Sequence, residues 1–306
     1  MKSYVNNITA IILTKDEELH IERCIRNLQQ VCSKVYVVDS FSTDNSCKIA
    51  EQCGAEVLKH EYVNQAQQFQ WALDNCPVET EWVLRMDADE YLTDELMQEI
   101  RTVTPNLAAD ITGVYFKFRV KFLGHTMRFG MLRPVRILRM WRAGSVYMEQ
   151  RWMDERLVLR EGKAVDFKHR FIDENLNGLT AWTQKHNNYS NREILVELDK
   201  RYHLFDSGEA AELKGRNQQK SLYYKLPRFF RAMAYFLARY VLFLGFLDGV
   251  KGFVWLTLQA YWYRFLVDAK LMEIEHRLGK NPTREEVKEY VRRYFGLTTF
   301  AADSTD

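Results

Sequence analysis

A chain of 306 residues can bury a sizeable core but is short for two full domains, which suits one catalytic domain with an appendage. Its 43 basic and 41 acidic residues leave a formal charge of only +2, so attraction to an anionic surface must come from local clustering. The basic residues gather with aliphatics rather than in an aromatic-basic groove, which argues against a nucleic-acid partner, and neither G-x-G-x-x-G nor G-x-x-x-x-G-K-[ST] occurs, which argues against dehydrogenases and kinases.

Ile8 to Leu13 (ITAIIL) is a short β-branched run of the kind buried on both faces of a sheet. Ile21, Cys24, Ile25 and Leu28 then recur at helical spacing. Val35 to Asp39 (VYVVD) reads as a second buried strand. Ser42, Thr43 and Asp44 offer caps for a helix that Gly54 can end. EVLKH is a third strand, a Gln-rich helical pattern runs through Phe69 and Leu73, and EWVLRMDAD is a fourth strand that runs into acidic residues. This alternation predicts a parallel sheet with right-handed crossovers, and in such sheets ligands sit beyond the carboxyl ends of the strands. From Val114 the period changes to two, with Val114, Phe116, Phe118 and Val120 alternating with polar residues, as in a half-buried strand of an antiparallel addition. PVRILRMW reads as a further strand and WTQKHNNYSNRE as a helix.

The last third is strongly apolar and aromatic, yet Arg231, Arg239, Asp248 and Lys251 interrupt every window long enough to span a bilayer. At about 100° per residue, Lys225, Arg228, Arg231 and Arg239 share roughly a third of a turn. Phe229, Phe236, Tyr240 and Leu244 lie mainly outside that arc, the pattern of a basic amphipathic helix at a membrane surface. The five cysteines (Cys24, Cys32, Cys47, Cys53 and Cys76) have no C-x-x-C spacing and read as reduced core residues, which fits a cytosolic setting. The first apolar run is too short for a signal peptide.

The chemistry concentrates in three polar clusters after strands. Asp87 and Asp89 sit two residues apart at a strand end and can reach one small region. Hard cations such as Mg²⁺ or Mn²⁺ take oxygen ligands and often bridge a diphosphate to a few carboxylates, where they stabilise charge on a departing nucleoside diphosphate. Thr14, Lys15, Asp16, Glu17 and Glu18 follow the first strand, and Asp39 to Asp44 follow the second; carboxylates there can accept hydrogen bonds from a uracil N–H or ribose hydroxyls. Capping of the next helix is the competing structural role. His169 is a candidate further metal ligand or a donor to a diphosphate. On the helix that follows, Trp182, Lys185 and His186 are candidates for the acceptor site, with Trp182 stacking on a sugar ring.

The succession LTKDEE, VVDSFSTDNS and RMDADE resembles the nucleotide-binding half of family 2 glycosyltransferases of the GT-A fold. Nearly the whole chain is similar to the lipopolysaccharide-core and surface-polysaccharide transferases of the WaaE-like group. The resemblance implies an inverting transfer of a hexose, glucose or galactose type, from a UDP-sugar to a hydroxyl of a lipid-anchored glycan. It places Asp39 at the nucleoside, Asp87 on the donor side and Asp89 on the metal. Thr14, Lys15, Glu17 and Ser42 join the donor site. An inverting transfer also needs a general base. The family's acidic pair falls here at Asp154 and Glu155, either of which can serve.

The expected architecture is therefore α/β: a GT-A domain over residues 1–215, with a mainly parallel central sheet and a small antiparallel addition. A helical membrane-associating extension over 216–306 completes it. The expected location is the cytoplasmic face of the bacterial inner membrane, with a homo-oligomer left open. A polyprenyl-phosphate sugar synthase and a catalytically inactive nucleotide-sugar-binding protein are the alternatives.

Overall fold

The computed structural model of the protein describes residues 7–131, 135–149, 156–205, 223 and 226–297. The chain divides into two compact units, the first comprising residues through Met127 with Arg133–Leu176, the second Arg128–Leu132 with the chain from Asn177.

The first unit opens with four strands, β1 (Ile8–Thr14), β2 (Lys34–Asp39), β3 (Glu56–Lys59) and β4 (Trp82–Asp87). Between them lie helices α1 (Ile21–Leu28), α2 (Ser46–Gln52) and α3 (Gln65–Asn75). After β4 come β5 (Glu90–Leu92), α4 (Asp94–Val103), β6 (Ile111–Phe122), β7 (His125–Thr126), β8 (Arg136–Arg142), β9 (Val146–Glu149), β10 (Arg156–Leu159) and β11 (Lys163–Asp173). The central sheet runs β3-β2-β1-β4-β8-β6-β11-β5, and β9 and β10 form a separate pair. The β1–β2, β1–β4 and β2–β3 ladders are parallel, as is β6–β11, whereas β8 lies antiparallel to both β4 and β6. The result is a GT-A-like α/β fold with a mixed, mostly parallel sheet.

The period-two geometry of a strand explains why β1 and β2 read as unbroken apolar runs. Ala10, Ile12, Val35 and Val37 face one way, packed with Ile21, Cys24, Ile25 and Leu28 of α1 and Leu96, Met97 and Ile100 of α4. Ile11, Tyr36 and Val38 face the other way, against Ala66, Phe69 and Ala72 of α3 and Val146 and Met148 of β9. Gly54, at φ +81°, follows α2 where the sequence predicted a stop. Cys24, Cys32 and Cys76 are buried, and all five cysteines are free thiols.

The second unit holds α5 (Gly178–Tyr202) and α6 (Phe230–Leu237), which runs into a wide π-helical turn over Ala238–Leu242. A 3-10 turn, Gly245–Asp248, leads to α7 (Gly249–Leu256), a second π-helical turn (Thr257–Trp262), α8 (Tyr263–Leu278) and α9 (Arg284–Phe295). Ile194, Leu195 and Leu198 of α5 pack with Val267, Leu271 and Ile274 of α8 and Val287 and Val291 of α9. That packing assigns α5 to the helical unit, so the division falls at Leu176, ahead of the expected boundary at residue 215.

Among the described residues the expected basic face is not a free face. Arg231 is buried and paired with Asp268, and Arg228 binds Glu275 through both terminal nitrogens at 2.5 and 2.6 Å. Arg239 Nε donates to Gly130 O at 2.5 Å, while Lys225 lies outside the described residues. Arg228 precedes α6 and shares no helix with Arg231, and all three arginines meet partners inside the unit, where an unpaired guanidinium would be far more costly than one in water.

Candidate active site at the carboxyl edge of the sheet

The carboxyl ends of β1, β2 and β4 lie side by side, with Thr14 opposite Asp39 and Leu13 opposite Asp87 in the parallel ladders. All three polar clusters therefore emerge at one edge of the first unit. The first two interlock. Asp16 N donates to Ser42 Oγ (2.8 Å), Glu17 N to Ser46 Oγ (2.7 Å) and Glu18 N to Asp44 Oδ2 (3.0 Å). In return, Thr43 N donates to Asp16 Oδ1 (2.7 Å), and Asn45 N and Nδ2 donate to Glu18 Oε2 (3.1 and 2.9 Å). Lys15 Nζ reaches Phe41 O at 2.5 Å. None of the three residues expected to cap α2 is its N-cap, which is Asn45; Asp44, one residue earlier, accepts from Ser46 N at 2.9 Å. Ser42 and Thr43 instead brace the opposite loop.

Asp39 is fully buried and accepts from Ser42 N (2.9 Å) and Ser42 Oγ (2.5 Å). Two residues of these loops, Asp16 (φ 53°) and Phe41 (φ 57°), hold left-handed backbone, a conformation that costs a non-glycine residue about 1–2 kcal/mol. The surrounding hydrogen bonds stabilise it, and the amide of Thr43 holds the Asp16 carboxyl below its ordinary value of 3.8. Thr14 Oγ1 is buried with no hydrogen-bond partner among the described residues, a hydroxyl facing an unmet polar requirement. Glu17 is held on His20 Nδ1 (2.6 Å), and His20 Nε2 accepts from Leu176 N (2.7 Å).

At the end of β4 the carboxylates stand among guanidinium groups. Asp87 Oδ2 lies 3.3 Å from Arg139 Nη2, and Asp87 Oδ1 lies 3.5 Å from Arg85 Nη2. Arg139 Nη2 also donates to Glu90 Oε1 at 2.5 Å, and Glu90 Oε2 accepts from Asp87 N at 2.9 Å. Burial pushes the Glu90 carboxyl well above its ordinary 4.5, opposed by the Arg139 charge beside it. Arg139 Nε and Nη1 have no hydrogen-bond partner among the described residues, and its guanidinium lies over the Phe171 ring at 5.0 Å. Asp89 is fixed by the segment just after β11: Asn175 Nδ2 donates to Asp89 Oδ2 (3.1 Å), and Glu174 N donates to Asp89 O (3.0 Å). Arg23 ties the assembly together through Glu174 Oε2 (2.7 Å) and Asp89 O (3.2 Å).

The structure thus brings together Thr14, Lys15, Glu17, Asp39, Ser42, Asp87 and Asp89. It places His169 elsewhere. His169 lies where the β11–β6 ladder breaks register, and its Nδ1 and backbone N meet Glu99 Oε2 of α4 at 2.8 and 2.9 Å. There it joins strand β11 to helix α4 through Glu99 rather than standing with the carboxylates of the sheet edge. Asp154 and Glu155 lie outside the described residues. Trp182, Lys185 and His186 lie on α5 of the helical unit, where Trp182 stacks on His186 with ring centroids 3.6 Å apart and meets Trp255 edge-on. One Trp182 face is therefore already covered. Burial holds the His186 imidazole below its ordinary 6.5, and its Nδ1 lies 2.9 Å from Trp182 O.

Sequence reading missed Arg85, Arg139, Arg23, Glu174 and Asn175. The signal for the last two was present: β11 also runs straight into carboxylates, Asp173 and Glu174, as β4 does. Among the described residues no group of three His, Cys, Asp or Glu side chains converges as a closed metal cage. Asp87 and Asp89 nevertheless fit the mode in which Mg²⁺ or Mn²⁺ takes one or two carboxylates and completes its shell with phosphate oxygens.

Residues 9–137 match the model of Glycosyl transferase family 2. A Rickettsia conorii protein named as an uncharacterized glycosyltransferase is 35% identical over 122 residues, 40% of this chain and 42% of that protein. A Rickettsia felis counterpart is 35% identical over 119 residues, 39% of this chain and 40% of that one. The chain thus spans about two-fifths of the length of the curated relatives it matches. Among solved structures, S. aureus TarS 1-349 in complex with UDP-GlcNAc aligns with TM-score 0.41 at 15% identity, covering 90% of this chain and 92% of that one. Glucosyl-3-phosphoglycerate synthase from Mycobacterium tuberculosis, in complex with Mn²⁺, UDP and glucosyl-3-phosphoglycerate, aligns with TM-score 0.31 at 21% identity, covering 37% of this chain and 44% of that chain.

Proposed function

We propose that this protein transfers a hexose, glucose or galactose type, from a UDP-sugar to a hydroxyl of a lipid-anchored glycan, with inversion at the anomeric carbon. The setting is the assembly of lipopolysaccharide, O-antigen or capsule at the cytoplasmic face of the bacterial inner membrane. The observation that carries the reading is the convergence of the Thr14–Glu18 loop, the Asp39–Asp44 loop and the Asp87–Asp89 pair at one sheet edge, within residues matched by the family model.

Each part of that edge has a task that its surroundings suit. The interlocked loops are built before the donor arrives, so the ordering cost of a nucleoside site is already met in folding. Asp39, held by Ser42, retains lone pairs for a uracil N–H or a ribose hydroxyl. Arg139 and Arg85 fix the rotamer of Asp87, and Asn175 fixes that of Asp89. Mg²⁺ or Mn²⁺, held by Asp89 with Asp87 beside it, would supply positive charge against a leaving diphosphate. Arg85 Nε is a further buried donor without a partner among the described residues. A base from Asp154 or Glu155 would take the acceptor proton.

Calorimetry of the purified protein with UDP, in Mn²⁺ and then in EDTA, tests the reading. Binding that needs the metal and is abolished by Asp89→Ala supports it, and transfer by that variant falls by about 10²–10³-fold. UDP binding that is indifferent to metal and to Asp89→Ala overturns it.

A further inference from the structure

We infer that the bend of the helical unit, Val241–Val250, is seated in one leaflet of a lipid bilayer. The inference rests on the membrane part of the reading above, and it is independent of the donor chemistry. Leu242 and Val250 are 75% and 79% exposed, and Leu244, Phe246 and Leu247 around them are each about half exposed. No charged side chain occurs between Arg239 and Asp248. So dense an outward apolar surface marks a contact site.

Hydrogen bonding in the bend points to hydrocarbon as the occupant. A segment in a bilayer must satisfy its backbone polar groups internally, because hydrocarbon offers none. The strap Arg128–Gly130 does this here. Arg128 N and Phe129 N donate to the Asp248 carboxylate at 3.0 and 2.9 Å, and Gly130 N donates to Phe243 O at 2.9 Å. Arg239 Nε closes the loop on Gly130 O. Asp248, the sole acidic residue from 226 to 262, thus faces the strap. Close backbone approach seals the turn: a Cβ on Gly245 would stand 2.8 Å from Arg239 O, and one on Gly252 would stand 2.8 Å from Gly245 O. These polar links run inward, and the outward groups of the bend are aliphatic and aromatic. A protein partner would find few hydrogen-bonding groups to recognise there. A bilayer needs none, and the exposed Lys251 follows the apex, where anionic headgroups favour a cation.

Length sets the mode of insertion. Among the described residues no single helix is long and apolar enough to cross a membrane, but Phe230–Leu242 and Gly245–Leu278 pass together, bent by 73°. The first arm extends about 20 Å at 1.5 Å per residue, short of the roughly 30 Å hydrocarbon core. Such an arm enters and turns back rather than crossing.

Flotation of the full chain with phosphatidylethanolamine–phosphatidylglycerol vesicles tests this, at low salt and at about 1 M salt, where the screening length falls to about 3 Å. Wild-type protein floats in both. Leu242→Glu combined with Leu247→Glu lowers the vesicle partition coefficient by at least about tenfold, since two lipid-facing leucines are replaced by carboxylates. Val250→Glu acts in the same direction. UDP binding stays unchanged in all variants, which shows that they fold and keeps the donor reading separate. Wild-type protein that stays with the soluble fraction, or that floats only at low salt, overturns the inference. So does vesicle-free sedimentation that shows a dimer dissolved by the same substitutions, because the apex would then join two copies of the chain.

Discussion

The carboxyl edge of the sheet and the bend of the helical unit solve one problem with opposite outcomes. Both are turns whose backbone groups are satisfied by a segment distant in sequence. At the sheet edge, loops around Asp16 and Thr43 exchange side-chain-to-backbone hydrogen bonds, and Asp87 and Asp89 beside them stay partly exposed. At the bend, Asp248 and Arg239 turn inward onto residues 128–130 and leave only hydrocarbon outside. What a turn presents to its surroundings is thus set by which polar groups the fold has already used. The same residue type, a loop aspartate, is a site candidate at position 89 and a structural anchor at position 248.

The largest expected effect lies where the edge is buried. Arg139→Met leaves Glu90 buried without its counter-charge, and removing one partner of a buried pair costs about 3–5 kcal/mol. Arg139 and Glu90 side chains are 3% and 7% exposed, so solvent screening gives little relief. Denaturant unfolding should show that loss, and Arg139→Met combined with Glu90→Gln should recover most of it. If the double variant is as weak as the single, Arg139 supports the edge through Asp87 or Phe171 packing rather than through Glu90.

A smaller effect is expected at the bend. Asp248→Ala strands two backbone N–H groups, at Arg128 and Phe129, for a cost of about 2 kcal/mol. Limited proteolysis should then cut at the strap while UDP affinity stays unchanged. Cleavage no faster than in the wild type would show that Gly130 and Arg239 hold the strap alone, and the parallel between the two turns would fail.

Much of the edge was legible because its signal is local. Period-two burial explains β1, β2 and β4, and an acidic cluster directly after a strand end has one place to go in a parallel sheet. The guanidinium shell was not legible, since Arg85 and Arg139 read as polar members of strands, and only the β4–β8 register sets Arg139 near Asp87 and Glu90. The bend failed for a related reason. Helical spacing grouped Arg228, Arg231 and Arg239, but Arg228 precedes α6, and the partners Glu275, Asp268 and Gly130 lie roughly 40 to 110 residues away. Periodicity finds a face; it does not say what covers it. The boundary near residue 215 failed likewise, because the α5 stripe of Ile194, Leu195 and Leu198 is matched only by α8 and α9.

The smallest effect separates the carboxylate edge from the clamp at Glu99. Glu99 accepts the amides of Lys168 and His169 and the His169 ring. Burial alone would push the Glu99 carboxyl up, but these donors outweigh it and hold it below its ordinary 4.5. A carboxylate whose folded value is lowered adds stability above its unfolded value and loses it as pH falls through the folded one. Glu99→Gln should therefore cost about 1 kcal/mol near neutrality, and the gap to wild type should close as pH drops below 4.5. His169→Ala should leave Mn²⁺-dependent UDP affinity within about twofold, a change of about 0.4 kcal/mol. Loss of that affinity in His169→Ala alone would return His169 to the metal, since a clamp residue acts on stability and on its pH profile, whereas a ligand acts on binding.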